Sequence, residues 1–304
     1  MISVVIPVKN GGADLVRCLE AIARQRIDEP VEVVVVDSGS HDGSPERARA
    51  LGAEVHVIGA DEFHHGRTRN LGAKLSSGDT LVFTSQDAYA ADDRWLAHLT
   101  APLRTQDSIA GVYGRQLPHE DATPPERYFL DFLYGPDTRV QRLRDGDELS
   151  FEATLFSNVN STMPRDVWER FPFAEDIVMS EDQEWSRRVL RAGKSIAYEP
   201  TAAVHHSHTY SVGGALRRFF DSGASAERSY VDGAQSTRAL WKAAARYARG
   251  EVEWLWVTGQ RRWIPYAALY ELAKFTGLQL GRRHHLLPTA LKTRISGYPR
   301  HWQT

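Results

Sequence analysis

Cysteine is almost missing from this chain: Cys18 is the single one in 304 residues. One thiol excludes an intramolecular disulfide, and with it the small stapled folds of secreted proteins. Cys18 falls within a helical pattern, where it reads as a small buried hydrophobe. Long apolar runs are missing too, and none approaches the roughly 20 residues that span a bilayer. The N-terminus opens directly on a strand-like segment, without the basic and then apolar stretch of a secretory leader. Neither sign of charge dominates, with 37 lysines and arginines against 39 aspartates and glutamates and a net charge of -2. A nucleic-acid partner is therefore not expected, since domains that bind one are usually strongly basic. These absences leave a cytoplasmic protein, at most peripheral at the inner face of a membrane.

What is present is a core-forming composition, 42% apolar and 25% charged, and a strand–helix alternation along the first half. Ile2–Ile6 reads as a strand stopped by Pro7, and residues 14–25 carry apolar side chains at helical spacing. Val33, Val34, Val35 and Val36 are too apolar for a strand with one wet face, so they read as a parallel strand buried on both sides. Asp37, Ser38, Gly39 and Ser40 follow at its carboxyl end, where open α/β sheets bind ligands. Ser44, Pro45 and Glu46 open a helix. Further strands are expected at 54–58, 80–84 and 194–198, and further helices at 65–76, 92–104 and 181–192. Residues 114–147, rich in proline, glycine and charge, read as a long functional excursion. Beyond about residue 210 the pattern becomes purely helical, over 215–230, 237–249 and 265–277. The fold class is thus α/β, a mostly parallel sheet flanked by helices. We expect a catalytic domain over residues 1–210 and a helical C-terminal region over 211–304.

Several short motifs fall at the ends of these strands. They are Pro7-Val8-Lys9-Asn10-Gly11-Gly12, Phe63-His64-His65-Gly66-Arg67-Thr68-Arg69-Asn70-Leu71-Gly72, Ser85-Gln86-Asp87-Ala88, Phe156-Ser157-Asn158-Val159-Asn160-Ser161, Glu181-Asp182, and His205-His206-Ser207-His208. Each is weak alone, but in this order over residues 1–210 they resemble the family-2 glycosyltransferases of the GT-A fold, in the rhamnosyltransferase-like branch.

The resemblance implies transfer of a sugar from a nucleoside diphosphate sugar, with dTDP-L-rhamnose the favoured donor, to a hydroxyl of a glycan or lipid-linked glycan in polysaccharide biosynthesis. Inversion by a single displacement is implied as well. Departure of the sugar leaves negative charge on the diphosphate, which a divalent cation stabilises. Members of the family normally carry Asp-x-Asp after the fourth strand. This chain has Ser85-Gln86-Asp87, so Asp87 takes the metal role and Ser85 stands where the ribose-facing acid would be. Taken alone, Asp87 is an ordinary turn cap; its place in the ordered set makes it a ligand. The resemblance offers a second ligand after the strand that follows Glu181-Asp182. His206 fits best by position and His208 second. A histidine ligand suits Mn2+ better than Mg2+.

The family pattern makes Asp182 the base and Glu181 a positioning or acceptor-binding residue. Their helix N-terminus is expected to favour the ionised base. Pro7, Asn10 and Asp37 would face the base and ribose, with Asp37 accepting the N3–H of uracil or thymine, hence a dTDP or UDP donor. Gln86 belongs to the same nucleotide-sugar set. Arg69 and Arg67 would face the base or diphosphate. The aromatic residues Trp168, Phe171, Phe173, Tyr128, Phe129, Phe132 and Tyr134 suit an acceptor platform or a core equally. In the C-terminal region Trp254, Trp256, Trp263, Tyr266 and Tyr270 lie near Arg261, Arg262, Arg282 and Arg283. That composition fits helix packing, a homo-oligomer surface or peripheral membrane contact. Outside this reading stand a catalytically inactive sugar-nucleotide-binding scaffold, suggested by the missing first aspartate, and a nucleotidyltransferase. The latter usually shows a more basic, glycine-rich first loop than Pro7–Gly12.

Overall fold

The computed structural model describes residues 1–105, 108–144, 147, 149–231 and 237–303. In chain order its first elements are β1 (Ile2–Val8), α1 (Gly12–Ala23), β2 (Val31–Asp37), α2 (Ser44–Ala50), β3 (Glu54–Val57), α3 (His65–Leu75) and β4 (Thr80–Thr84). Then follow β5 (Tyr89–Ala90), α4 (Trp95–Thr105), β6 (Ile109–Leu117), α5 (Pro124–Leu133), β7 (Arg139–Gln141), β8 (Asn160–Pro164), α6 (Arg165–Arg170), α7 (Glu181–Arg191) and β9 (Ser195–His205). The last part holds the helices α8 (Val212–Ser229), α9 (Thr237–Val257), α10 (Ile264–Arg282) and α11 (Thr289–Ile295).

The strands form one sheet in the order β3-β2-β1-β4-β8-β6-β9-β5, with β7 paired to β9. β3, β2, β1 and β4 are mutually parallel, β8 runs antiparallel between β4 and β6, and β6 and β9 are parallel. Val34, Val35 and Val36 are fully buried as expected, whereas Val33 is half-buried. Strand alternation sends neighbouring residues into two separate cores. Val4 and Val82 pack with Leu15, Trp95 and Leu99, whereas Val5, Leu81 and Phe83 pack with Met163, Phe173 and Trp185. Each such side chain stabilises the fold by roughly 1.5–3 kcal/mol. Cys18 belongs to the first core, and burial together with the charge of Asp87 pushes its thiol up to about 12.

Three expectations need correction. Pro7 does not stop β1: it pairs with Val36 inside the strand, which continues to Val8. The 114–147 excursion carries its own α5 and β7, although residues 145–146 lie outside the described residues. The strand foreseen at 194–198 runs through Pro200 to His205, because a register shift between Gly114 and Arg115 of β6 absorbs the proline.

The C-terminal helices close over the carboxyl end of the sheet. α8 and α10 cross at backbone distance. A Cβ on Gly281 would stand 2.0 Å from the Phe220 carbonyl oxygen, and one on Gly277 would stand 2.3 Å from that of Leu216. Only glycine permits this approach.

Candidate active site

The ends of β4, β6 and β9, the start of α7 and the inner faces of α8 and α10 enclose a cavity of about 400 Å³. Arg69, Asp87, Glu181, Asp182, His206 and His208 all line it. Six residues separated by up to 139 positions in sequence thus meet at one place.

Asp87 sits in the turn after β4, where Ser85 Oγ donates to its Oδ1 at 2.8 Å. Ser85, the departure from Asp-x-Asp, therefore braces the remaining carboxylate. The backbone N–H of His206 donates to Leu117 O at 2.9 Å, which continues the β6–β9 ladder and brings the histidine beside Asp87. His206 Nε2 lies 3.8 Å from Asp87 Oδ1, and His208 Nε2 lies 3.6 Å from Oδ2. One ligand atom from each of the three falls within 4.8 Å of the others. Burial pushes His206 down to about 3, so its ring is neutral. Its Nδ1 contacts Gln116 Oε1 at 2.9 Å. Gln116 Nε2 in turn donates to Tyr134 Oη at 2.7 Å and Ser157 Oγ at 2.9 Å, which fixes the amide with its oxygen toward the ring. The proton therefore resides on Nδ1, and the Nε2 lone pair faces Asp87.

Ser180, also in the cavity lining, takes a left-handed conformation at φ 65°, an uncommon state for a residue with a side chain. This sharp entry turns the first residues of α7 into the cleft. Glu181 is buried and pairs with Arg69 Nη1 at 2.8 Å, also accepting from Asn158 Nδ2 at 3.2 Å. Burial opposes its charge, yet Arg69, His65 and Asn158 hold its carboxyl below the usual range. Asp182 accepts from the backbone N–H of Asn158 at 3.2 Å and of Gln183 at 2.9 Å. Burial, reinforced by the charge on Glu181, raises it to about 7. The helix N-terminus was expected to favour the ionised form of Asp182; burial and a like charge oppose that form and outweigh the dipole.

Arg69 reaches the cavity, but its guanidinium serves Glu181. Arg67 stays outside it, exposed, with its Nε 3.7 Å from Glu175 Oε2. Pro7, Asn10, Asp37 and Gln86 also lie outside this cavity, in a network tying together the ends of β1, β2 and β4. Asp37 is fully buried and accepts from Ser40 through both N–H (2.8 Å) and Oγ (2.5 Å). Asn10, at φ 49°, accepts from the His41 N–H, and Gln86 forms a double bond pattern with the Lys9 backbone at 2.7 and 3.1 Å. Of the aromatic candidates, Trp168 and Phe173 are core alone, whereas Phe129 and Tyr134 join the same core and also line the cavity.

Three further residues stand out at the site, to which the sequence reading assigned no individual role. Gln116 orients His206, Asn158 holds both carboxylates, and Arg218 of α8 enters from the C-terminal region. Arg218 lines the cavity with its Nη1 3.3 Å from Met179 Sδ, and no carboxylate among the described residues lies within ion-pair distance. Asn158 was visible within the Phe156–Ser161 motif; Gln116 and Arg218 carry no local signal.

Comparison with known proteins agrees with this architecture. Residues 3–169 match the model of glycosyl transferase family 2. The chain is 32% identical over 305 residues to the O-antigen chain rhamnosyltransferase RfbN of Salmonella typhimurium, covering 99% of this chain and 96% of that one. It is 29% identical to the O-antigen chain rhamnosyltransferase WbaN of Salmonella anatum, covering 99% and 95%. Among solved structures, it is similar to the mannosyltransferase PcManGT from Pyrobaculum calidifontis in complex with GDP-Man and Mn2+. That match has a TM-score of 0.57 at 18% identity and covers 99% of this chain and 85% of the other. It also matches residues 1–349 of S. aureus TarS in complex with UDP, with a TM-score of 0.51 at 16% identity, covering 93% and 91%. The chain is a GT-A-fold glycosyltransferase and belongs to glycosyl transferase family 2.

Proposed function

We propose that this glycosyltransferase moves L-rhamnose from dTDP-L-rhamnose, with inversion, to a hydroxyl of a glycan or lipid-linked glycan during polysaccharide assembly. Similarity to two O-antigen chain rhamnosyltransferases over nearly the whole of both chains supports the donor and the pathway. The observation that carries the mechanism is one cavity lined by both an Asp-His-His cluster and a carboxylate pair.

Asp182 is the base. Its pKa of about 7 suits proton uptake near neutrality. The acceptor oxygen bonds to the anomeric carbon as the bond to the diphosphate breaks, and the hydroxyl proton passes to Asp182. Displacement in one step inverts the anomeric centre. Glu181, held ionised by Arg69, positions the acceptor, and its charge keeps the Asp182 carboxyl raised.

Asp87, His206 and His208 fit a divalent cation, because the three donor atoms converge and the His206 Nε2 lone pair is free. A mixed nitrogen and oxygen set favours Mn2+ over Mg2+. When bound, the ion supplies positive charge against the departing diphosphate. Arg218, without a carboxylate partner, supplies a second positive charge to the same group. Pro7, Asn10 and Gln86, with the buried Asp37 behind them, are assigned to the pyrimidine nucleoside next to this cavity.

The test is transfer by the purified chain from a panel of nucleotide sugars, with anomeric configuration read by NMR. Transfer of rhamnose with inversion, lost on chelation and restored by Mn2+, is expected. Retention of configuration, or preference for a purine donor, would overturn the reading.

A further inference from the structure

The two parts of the chain carry opposite charge. Residues 1–210 hold 22 lysines and arginines against 33 aspartates and glutamates, whereas residues 211–304 hold 15 against 6. The balanced total conceals a basic C-terminal region.

That region also exposes an apolar face. On α9, Trp241, Ala245, Val252 and Trp256 recur at helical spacing on one stripe, and all are exposed. Trp241 and Trp256 are each 54% accessible. On α10, Pro265, Ala268, Leu269 and Leu272 are exposed, with Leu269 at 53% and Leu272 at 58%. The two helices run as one hairpin: Trp241 packs on Phe275 at 4.0 Å near one end, and Arg261 caps the Trp256 ring at 3.8 Å near the other. Lys242, Arg246, Arg249, Arg261 and Arg262 are exposed around this face. Of the two acids on α9, Glu251 is buried and only Glu253 is exposed.

Tryptophan and leucine ringed by arginine and lysine have the composition of a helix that lies in a membrane interface. No described helix is long and apolar enough to cross a membrane. We propose that the α9–α10 face docks this protein on an anionic lipid surface. The choice of lipid over a second copy rests on charge: two copies would bring like basic rims together, whereas an anionic bilayer satisfies both the arginines and the tryptophans. The opposite face of α10 presents Tyr270 and Lys274 to the active-site cavity. Docking therefore places the cavity one helix diameter from the lipid. The inference does not depend on which sugar is transferred.

The test is flotation of the full chain with vesicles of phosphatidylcholine alone, or with about 30 mol % phosphatidylglycerol added. Binding to the anionic vesicles only, weakened by salt, is expected. Leu269→Gln with Leu272→Gln should lower it about tenfold through lost apolar contact, and Arg261→Glu with Arg262→Glu by at least as much. Both pairs are surface changes whose melting curves should match the parent protein. Failure of the parent chain to float with anionic vesicles would overturn the proposal. So would binding by both variants as strong as that of the parent, or a stable dimer in solution that both variants dissociate, since the face would then belong to a second copy.

Discussion

A carboxyl group that takes a proton from a sugar hydroxyl works best with a pKa near the working pH. Asp182, raised to about 7 by burial and by Glu181, is in that position. Because the base must be ionised, kcat/KM should climb about tenfold per pH unit below 7 and level off above it. Asp182→Asn should lower kcat by about 10²–10⁴-fold. The same residue costs stability. Its folded pKa lies above the ordinary value of 3.8, so the fold loses stability as pH rises from about 4 to about 7 and stays lower beyond. Asp182→Asn should therefore melt a few degrees higher than the parent at pH 8, with the gap closing toward pH 4. Calorimetry across that range checks the sign. In the same cavity, Gln116→Leu removes the acceptor that fixes the His206 tautomer, and should weaken Mn2+ binding about 10–100-fold by titration. Asp87, His206, His208, Glu181, Asp182 and Arg69 were legible because each lies in a local motif at a strand or helix end. Gln116 was not, since a glutamine in a strand becomes a ligand brace only when β9 is laid beside it.

At the scale of elements, legibility followed burial. The Val33–Val36 run announced β2 because a strand covered on both faces must be apolar throughout. β8 gave no such signal. Its Asn160, Ser161 and Thr162 are buried in the sheet centre, where Ser161 Oγ donates to Asn158 Oδ1 and Thr162 Oγ1 to Leu81 O. Polar side chains satisfied by tertiary partners look like a loop in sequence. The segment is polar for a reason, since it anchors Asn158 beside the carboxylates of Glu181 and Asp182. β9 was cut short at Pro200 for lack of any sequence sign of the bulge that admits it. The α8–α10 crossing makes a sharper claim. Gly281→Ala places a methyl against the Phe220 carbonyl in a contact that cannot relax without parting the helices. It should destabilise the protein by about 1–3 kcal/mol and lower turnover through displacement of Arg218, while Gly213→Ala, with open space around it, should do neither.

The whole molecule is a sheet whose ligand-binding end is finished by helices from the other end of the chain. Tyr298 reaches back to His65, bonding its Nε2 at 2.8 Å, and burial holds that imidazole down at about 4. Arg218, Tyr270 and Lys274 complete the cavity. The purely helical texture after residue 210 was plain in the sequence, but its share in the active site was not, because contacts across the molecule leave no local pattern. Arg218→Ala should weaken nucleoside diphosphate binding about 10–100-fold and leave nucleoside binding almost unchanged. The central claim, that Asp182 carries the chemistry in a cavity that binds the donor without it, is tested most directly on one variant. Calorimetric titration of Asp182→Asn with dTDP and Mn2+, alongside its turnover of dTDP-L-rhamnose, should give a dissociation constant like that of the parent and turnover reduced by at least about a hundredfold. Full turnover by Asp182→Asn would contradict the account.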